Sequence, residues 1–363
     1  MPRPADPRCC GCGQNGRVSD PTDEFSFLPG QAADAGIEGP VPRGERVSIT
    51  LADGRMLSAL RYAPDGATPQ TPGLLTRAPN GATPQTPGLL TRAPKAAVGG
   101  PVVTFLHGAG LNAHTWDTTI LALGLPALAI DLPGHGDSSW REDGTYTGGI
   151  LAPDVIAGIE AWTDGPQVLV GQSLGGLTAA AVAASRPDLV RDVVVVDITP
   201  GINPNGGPAQ LRDFYAGPTD WSSRDELVEH ALSFGLGGSP TAAARGVFHN
   251  SRVRPDGRVE WKHHYAHLAN ALSTSPELAQ AAASRQDAIT GVLSERGWAD
   301  LAAVQAPLTL VRGTRGYVAD EDVAAFRERV PAASVVEVVS GHNVQEELPV
   351  DLGALVRKHA GKG

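Results

Sequence analysis

The sequence predicts an α/β fold in which helices cover both faces of a mostly parallel sheet. Short, strongly apolar segments recur along the chain and are separated by segments with helical periodicity. Strands of a parallel sheet are apolar on both sides because helices cover both of its faces. With 363 residues, 41% of them hydrophobic, the chain is long enough to bury a sizeable core.

The predicted sheet begins with a hairpin and continues as alternating strands and helices. Residues 45–64 contain two alternating runs that meet at Asp53-Gly54, a pair typical of tight hairpin turns. Further strands are predicted at six apolar runs, residues 101–108, 125–131, 167–173, 191–197, 306–313 and 333–339. The main helical patterns cover residues 150–163, 174–186, 319–330 and 344–359.

Two segments early in the chain have no such pattern. Residues 1–43 are rich in Pro, Gly and Asp and lack periodicity, which predicts a disordered tail. Residues 66–80 recur almost unchanged as residues 81–95. A Pro-rich repeat without an amphipathic face cannot stack into a core, so we interpret residues 65–99 as a disordered insertion in a surface loop.

A longer region interrupts the alternation after the sixth predicted strand. Residues 200–303 have a helical pattern and no clear strand, and they are far too many for a connecting loop. They predict a helical cap inserted after that strand. The core then consists of two parts, residues 44–199 and 304–363.

The charge of the chain excludes several classes of partner. The formal net charge is −10, whereas nucleic acids and anionic membranes are bound through basic surfaces. The sequence has no apolar run of about 18 residues, and its start lacks the apolar stretch of a signal peptide. We therefore expect a cytoplasmic protein, monomeric or homo-oligomeric, whose partner is a small molecule.

The residues that usually bind metals are not spaced as in a metal site. Cys9, Cys10 and Cys12 all lie in the tail, with no second Cys or His pair at zinc-site spacing. His263 and His267 are four residues apart, but no acidic third ligand follows nearby. We therefore expect no metal and no cofactor, and a thiol nucleophile in the core is excluded.

A motif typical of nucleophilic serines lies between a predicted strand and a predicted helix. Residues 171–175 read Gly-Gln-Ser-Leu-Gly, which fits G-x-S-x-G. Small residues on both sides of Ser173 allow the strained turn that exposes its hydroxyl at the carboxyl edge of the sheet. The context predicts that Ser173 is a nucleophile.

With this motif in place, the chain resembles the α/β-hydrolase superfamily over residues 45–64 and about 100–360. The resemblance includes LHGAG (106–110), DLPGHGDSS (131–139) and SGHNVQ (340–345), each at the expected place in the strand order. It is closest to the subgroup with a cap after the sixth strand, and it implies that fold. Because the motif carries a serine and not a carboxylate, the resemblance implies an acyl substrate such as an ester, thioester, lactone or activated ketone.

The resemblance also implies the other parts of a serine hydrolase site. His342, in the loop after the last strand, would accept the proton of Ser173 as a general base. The backbone N–H groups of Ala109 and Leu174 would form the oxyanion hole.

The acidic residue of the triad is missing from its usual place, where the sequence has Gly316. Asp320 and Asp322 follow it, but they are typical of the start of a helix. Asp197 ends the strand next to the one that leads to the serine, and some members of the superfamily have their acid there. We favour Asp197, with Asp320 and Asp322 as alternatives.

These residues predict a cofactor-free serine hydrolase that cleaves a carboxylic ester or a related acyl substrate through an acyl-enzyme intermediate. A carbon-carbon bond hydrolase acting on a vinylogous ketone would use much the same residues. A weakly active, ligand-binding relative is a further alternative, because a carboxylate is absent at Gly316.

Overall fold

The computed structural model describes residues 23–63, 100–203, 213–215, 217–268 and 295–361. The predicted repeat insertion at 65–99 therefore lies outside the described residues, as does the tail before residue 23. The strands are β1 (Arg43–Thr50), β2 (Met56–Ala63), β3 (Val103–Leu106), β4 (Ala127–Asp131), β5 (Gln167–Gln172), β6 (Val190–Val196), β7 (Asp220–Trp221), β8 (Ser251–Val253), β9 (Val259–Trp261), β10 (Leu308–Gly313) and β11 (Ser334–Val338).

The helices alternate with these strands in most of the chain. They are α1 (Leu28–Asp34), α2 (Asp117–Leu123), α3 (Gly148–Trp162), α4 (Leu174–Ser185), α5 (Arg224–Ser233), α6 (Pro240–Asn250), α7 (Asp320–Arg329), α8 (Val344–Glu347) and α9 (Pro349–Ala360). Short 3-10 turns cover Ala113–Trp116 and Pro187–Leu189, and residues 295–302 are also largely helical.

Eight strands form one sheet in the order β1-β2-β4-β3-β5-β6-β10-β11. β1 pairs with β2, and β2 with β4, in antiparallel orientation, and the other pairs are parallel. The predicted mostly parallel sheet is confirmed. The carboxyl ends of β5, β6 and β10 are neighbours at one edge, where open α/β sheets typically bind ligands.

The sheet is covered on both faces, and each face has its own core. On one face, α3, α4 and α7 contribute residues such as Leu151 and Phe326. On the other, α1, α2 and α9 contribute residues such as Leu28 and Val356. β6 shows how one strand contributes to both cores, because Val193 and Val195 face the first core while Val194 and Val196 face the second. A strand buried on both sides therefore has a nearly continuous apolar run.

Two predictions about single elements are wrong. The disorder predicted for residues 1–43 does not hold for residues 23–43, because α1 buries Leu28 and Ala32 in the second core and β1 begins at Arg43. The helix predicted at 344–359 is two helices, α8 and α9, because Pro349 has no N–H to continue the first.

The region between β6 and β10 has short strands as well as helices. β7, β9 and β8 form a separate antiparallel sheet of three strands, so the prediction of an all-helical region is wrong at this point. Strands of two or three residues are too short for alternation to be recognised in the sequence. Packed aromatic residues, among them Phe214 and Trp261, give the region its own small core. Its role as a cap stays a prediction.

Within the described parts of the chain, no helix combines the length and apolar character needed to cross a membrane.

Candidate active site

Ser173 lies at the sharp turn between β5 and α4, with φ of 53° and ψ of −121°. The two flanking glycines make this turn possible. A Cβ atom at Gly171 would overlap the carbonyl of Gly175, and a Cβ atom at Gly175 would overlap the carbonyl of Leu106. Backbone strain of this kind costs on the order of 1–3 kcal/mol and clusters at functional sites. The side chain of Ser173 is partly exposed.

Asp197 is the other non-glycine residue with positive φ in the described ranges. It follows β6 directly, and its carboxylate is fully buried. The backbone N–H groups of Gly313 and Tyr317 donate to it at 3.0 and 2.7 Å. Nδ1 of His342 donates to the same carboxylate at 2.8 Å. Three donors thus compensate the burial of one negative charge.

His342 lies in the loop after β11 and is held on several sides. Because Nδ1 donates to Asp197, Nε2 of the neutral ring is free to accept a proton. The ring of Tyr317 stacks on the imidazole with centroids 3.6 Å apart and an angle of 10° between the planes. Nε2 of Gln172, the residue before Ser173, donates to the carbonyl oxygen of His342 at 3.3 Å.

The contacts of Gly316 show that position 316 has no room for the acid that the resemblance implied there. A Cβ atom at Gly316 would overlap the carboxylate of Asp197. An aspartate at 316 and the observed position of Asp197 therefore exclude each other. The two alternatives are engaged elsewhere: Asp320 pairs with Arg312 at 2.7 Å, and Asp322 accepts from the N–H of Ala319 at 2.9 Å.

The loop after β3 lies directly against the serine turn. A Cβ atom at Gly108 would overlap the Gln172 side chain and lie 3.2 Å from Cβ of Ser173. The N–H groups of Ala109 and Leu174 donate to no acceptor among the described residues. Leu174 is the first residue of α4, where N–H groups lack partners within the helix and the helix dipole favours negative charge.

His107 holds this loop in place through the two nitrogens of its ring. Its Nδ1 lies 2.8 Å from the carbonyl oxygen of Gly108, and its Nε2 accepts from the N–H of Leu132 at 2.9 Å. Complete burial lowers the pKa of His107 to about 4, so the ring is neutral near pH 7. A neutral side chain therefore fixes the Gly108 backbone next to Ala109.

Sequence reasoning assigned no role to Gln172 or Tyr317. Gln172 is a polar residue at the end of a buried strand, a signal that could have been noticed. The hydroxyl of Tyr215 lies against Gly110 closely enough that a Cβ atom there would overlap it. Nothing in the sequence indicates that Tyr317 stacks on His342 or that Tyr215 reaches this loop.

A cavity of about 410 Å³ opens beside Leu174. Leu174, Leu177 and Tyr146 provide apolar surface, while Arg296 and Asp300 provide charge. Small-molecule sites typically combine an apolar lining with a few polar groups.

The chain is similar to known hydrolases over most of its length. Residues 105–354 match the model of the alpha/beta hydrolase family. The esterase Rv0045c of Mycobacterium tuberculosis is 35% identical over 343 residues, which are 92% of this chain and 95% of the relative. The lipase LipV of the same organism is 27% identical over 266 residues, 71% of this chain and 93% of the relative.

A solved structure agrees with these matches. It comes from a study of transition-metal inhibition of the M. tuberculosis esterase Rv0045c, and it superposes with a TM-score of 0.69 and 32% identity. The superposition covers 93% of this chain and 98% of that one. Together with the parallel sheet and the serine turn, these matches confirm the resemblance, and the chain belongs to the alpha/beta hydrolase family.

Proposed function

We propose that the chain is a serine hydrolase that cleaves carboxylic esters through an acyl-enzyme intermediate. The observation that carries the proposal is the hydrogen bond of 2.8 Å between His342 and buried Asp197, at the sheet edge where the strained turn holds Ser173. The esterase with 35% identity supports an ester as the substrate class.

In the first half of the reaction, the hydroxyl of Ser173 attacks the ester carbonyl, and Nε2 of His342 takes its proton. Asp197 keeps the proton on Nδ1 and stabilises the imidazolium that forms. The oxyanion is bound by the N–H groups of Ala109 and Leu174. His342 then donates its proton to the leaving alcohol, and Ser173 carries the acyl group.

In the second half, water replaces the alcohol. Nε2 of His342 removes a proton from the water, and the hydroxide attacks the acyl-enzyme carbonyl. The same two N–H groups bind the second oxyanion. The collapse of this intermediate returns the proton to Ser173 and releases the acid.

The region between β6 and β10 would act as the cap over the substrate, and the cavity beside Leu174, the residue after Ser173, would accommodate part of the substrate. The cavity volume of about 410 Å³ suits a small-molecule acyl substrate. The alternative of a weakly active ligand-binding protein depended on the missing carboxylate at Gly316. The hydrogen bond from His342 to Asp197 favours the hydrolase over this alternative, because it gives the histidine a carboxylate partner from another strand.

A fluorophosphonate probe tests the nucleophile. We expect covalent labelling of the purified wild type and no labelling of Ser173→Ala, with both proteins folded by circular dichroism. Mass spectrometry should place the probe on Ser173. A folded wild type that resists the probe would contradict the proposal.

Substrate profiling tests the reaction class. We expect turnover of 4-nitrophenyl esters with an optimum in acyl chain length, and much lower turnover of vinylogous 1,5-diketones. A preference for the diketones would instead assign the same triad to carbon-carbon bond cleavage.

A further inference from the structure

Three metal-ligating side chains meet where the N-terminal segment, the core and the inserted region come together. His114 lies in the 3-10 turn before α2, Asp117 is the first residue of α2, and His249 lies in the last turn of α6. All three are buried, and one ligand atom of each lies within 4.8 Å of those of the other two. They are close enough to share one small ion.

His114 and Asp117 already have the outer partners that metal ligands usually have. Nδ1 of His114 lies 3.0 Å from Oδ2 of Asp117, and its Nε2 lies 3.1 Å from Oε2 of Glu24. The hydroxyl of Tyr62 donates to the other oxygen of Asp117. In metal sites, the second nitrogen of a ligating histidine typically donates to a carboxylate, and a ligating carboxylate is itself hydrogen-bonded.

His249 is the residue that packing alone does not explain. Its side chain is 5% exposed, and its ring stacks on that of His114 with centroids 3.8 Å apart. Its Nε2 is buried and has no hydrogen-bond partner among the residues that the structure describes. A buried polar atom without a partner is destabilising, and a phenylalanine could stack here without that cost.

An ion-pair network would account for only part of this cluster. The hydrogen bonds of His114 to Asp117 and to Glu24 account for these three residues. This network leaves the buried Nε2 of His249 without a hydrogen-bond partner among the described residues. We propose that His114, Asp117 and His249 form a binding site for a divalent transition cation of the zinc class.

The donor set determines the class of cation. Two imidazole nitrogens and one carboxylate oxygen suit Zn²⁺, Co²⁺ or Ni²⁺, whereas Mg²⁺ and Ca²⁺ prefer oxygen ligands. On binding, the proton on Nδ1 of His114 leaves to solvent, while Nε2–H continues to donate to Glu24. The ring of His249 tilts out of the stack so that Nε2 points at the ion, and water completes the coordination.

A bound ion would join two parts of the molecule. His114 and Asp117 belong to the core, and His249 belongs to the region between β6 and β10. Asn112 and Asn250, next to these ligands, already hydrogen-bond across the same contact at 2.6 Å. An ion that binds only the folded protein stabilises it by mass action. This inference requires no step of the proposed hydrolysis.

The test measures Zn²⁺ binding to the full chain by calorimetry and by thermal unfolding. Cys9, Cys10 and Cys12 are replaced by serine in every protein, because free thiolates also bind zinc. We expect one Zn²⁺ per chain and a rise in Tm of about 5 °C at saturating metal. His249→Phe should abolish both effects, and Glu24→Gln should weaken binding by about 10- to 100-fold.

Two further histidine variants serve as controls. His263 is also fully buried with an unpartnered Nε2, but it lies outside the cluster, so His263→Phe should bind zinc normally. His342→Ala should also bind normally. Loss of binding in His342→Ala but not in His249→Phe would place the ion in the active site and overturn the proposal. The absence of binding in the wild type, or unchanged binding in His249→Phe, would overturn it as well.

Discussion

β6 and its C-terminal extension carry two aspartates, and each is bonded to a histidine from the C-terminal part of the chain. Oδ2 of Asp192, near the start of the strand, lies 2.9 Å from Nδ1 of His359. Oδ2 of Asp197, just after its end, lies 2.8 Å from Nδ1 of His342. Both carboxylates are buried. Because the nitrogen–oxygen distances are also nearly equal, the two pairs are alike in geometry.

The two pairs differ in what surrounds them. The carboxylate of Asp197 accepts two backbone N–H groups as well, its backbone is strained, and the serine turn follows the neighbouring strand. Oδ1 of Asp192 is buried without a hydrogen-bond partner in the described ranges, and its pair lies toward the opposite edge of the sheet. A histidine-aspartate pair is therefore not a catalytic pair by itself. Its position relative to a nucleophile at the carboxyl edge decides its chemistry.

The largest expected difference in kcat is between variants of Asp197 and Asp192. Asp197→Asn should lower kcat by about 10⁴, because an amide no longer holds the tautomer of His342 or stabilises its imidazolium. Asp192→Asn should leave kcat within about twofold, because no catalytic contact changes. Steady-state kinetics with a 4-nitrophenyl ester measures both kcat values. Equal losses of kcat in the two variants would show that the two aspartates do not differ in function.

The second largest effect on kcat is expected at Gly316, which leaves space for the carboxylate of Asp197. Gly316→Ala should lower kcat by about 10², because the new methyl group displaces a carboxylate that three donors hold, and small displacements in a catalytic site are costly. Gly165→Ala is the matched control, since nothing lies within 4 Å of a Cβ atom there. If the two variants have the same kcat, Gly316 is not needed to accommodate Asp197.

A smaller effect is expected from the ring that covers His342. Tyr317→Leu removes the stacking partner but keeps the backbone N–H that donates to Asp197. Ring stacking contributes about 0.5–1.5 kcal/mol, so kcat/KM should fall by roughly 2- to 12-fold. Tyr317→Phe keeps the stack and should behave like the wild type. A loss in Tyr317→Phe as large as in Tyr317→Leu would assign the effect to the hydroxyl.

The smallest effect on kcat is expected for a substitution of His359, the partner of Asp192. His359→Leu should leave kcat unchanged, because the pair is structural. It removes the partner of buried Asp192, which costs about 1–3 kcal/mol of unfolding free energy. Thermal unfolding should therefore show a lower Tm while steady-state kinetics shows no change. A reduced kcat in a fully folded His359→Leu would link this pair to catalysis.

The sequence was most informative where a local pattern reports on local surroundings. Strands such as β6 were recognised because both faces are covered and residues 193–196 form a continuous apolar run. The turn at Ser173 was recognised from the G-x-S-x-G pattern, whose Gly171 and Gly175 stand where a Cβ atom would overlap a backbone carbonyl. The ordered segment around α1 was missed because a helix of seven residues leaves a weak pattern, and its order comes from packing Leu28 against α2 and α9.

The sequence by itself determined the fold class, the serine turn and the candidates for the triad acid, since each depends on residues close together in the chain. Only the tertiary structure shows which candidate contacts His342, because Asp197 and His342 are 145 residues apart and meet through the packing of β6, β10 and β11. The same holds for Glu24, His114 and His249. Contacts between distant segments depend on how the whole chain packs, and no short pattern records that.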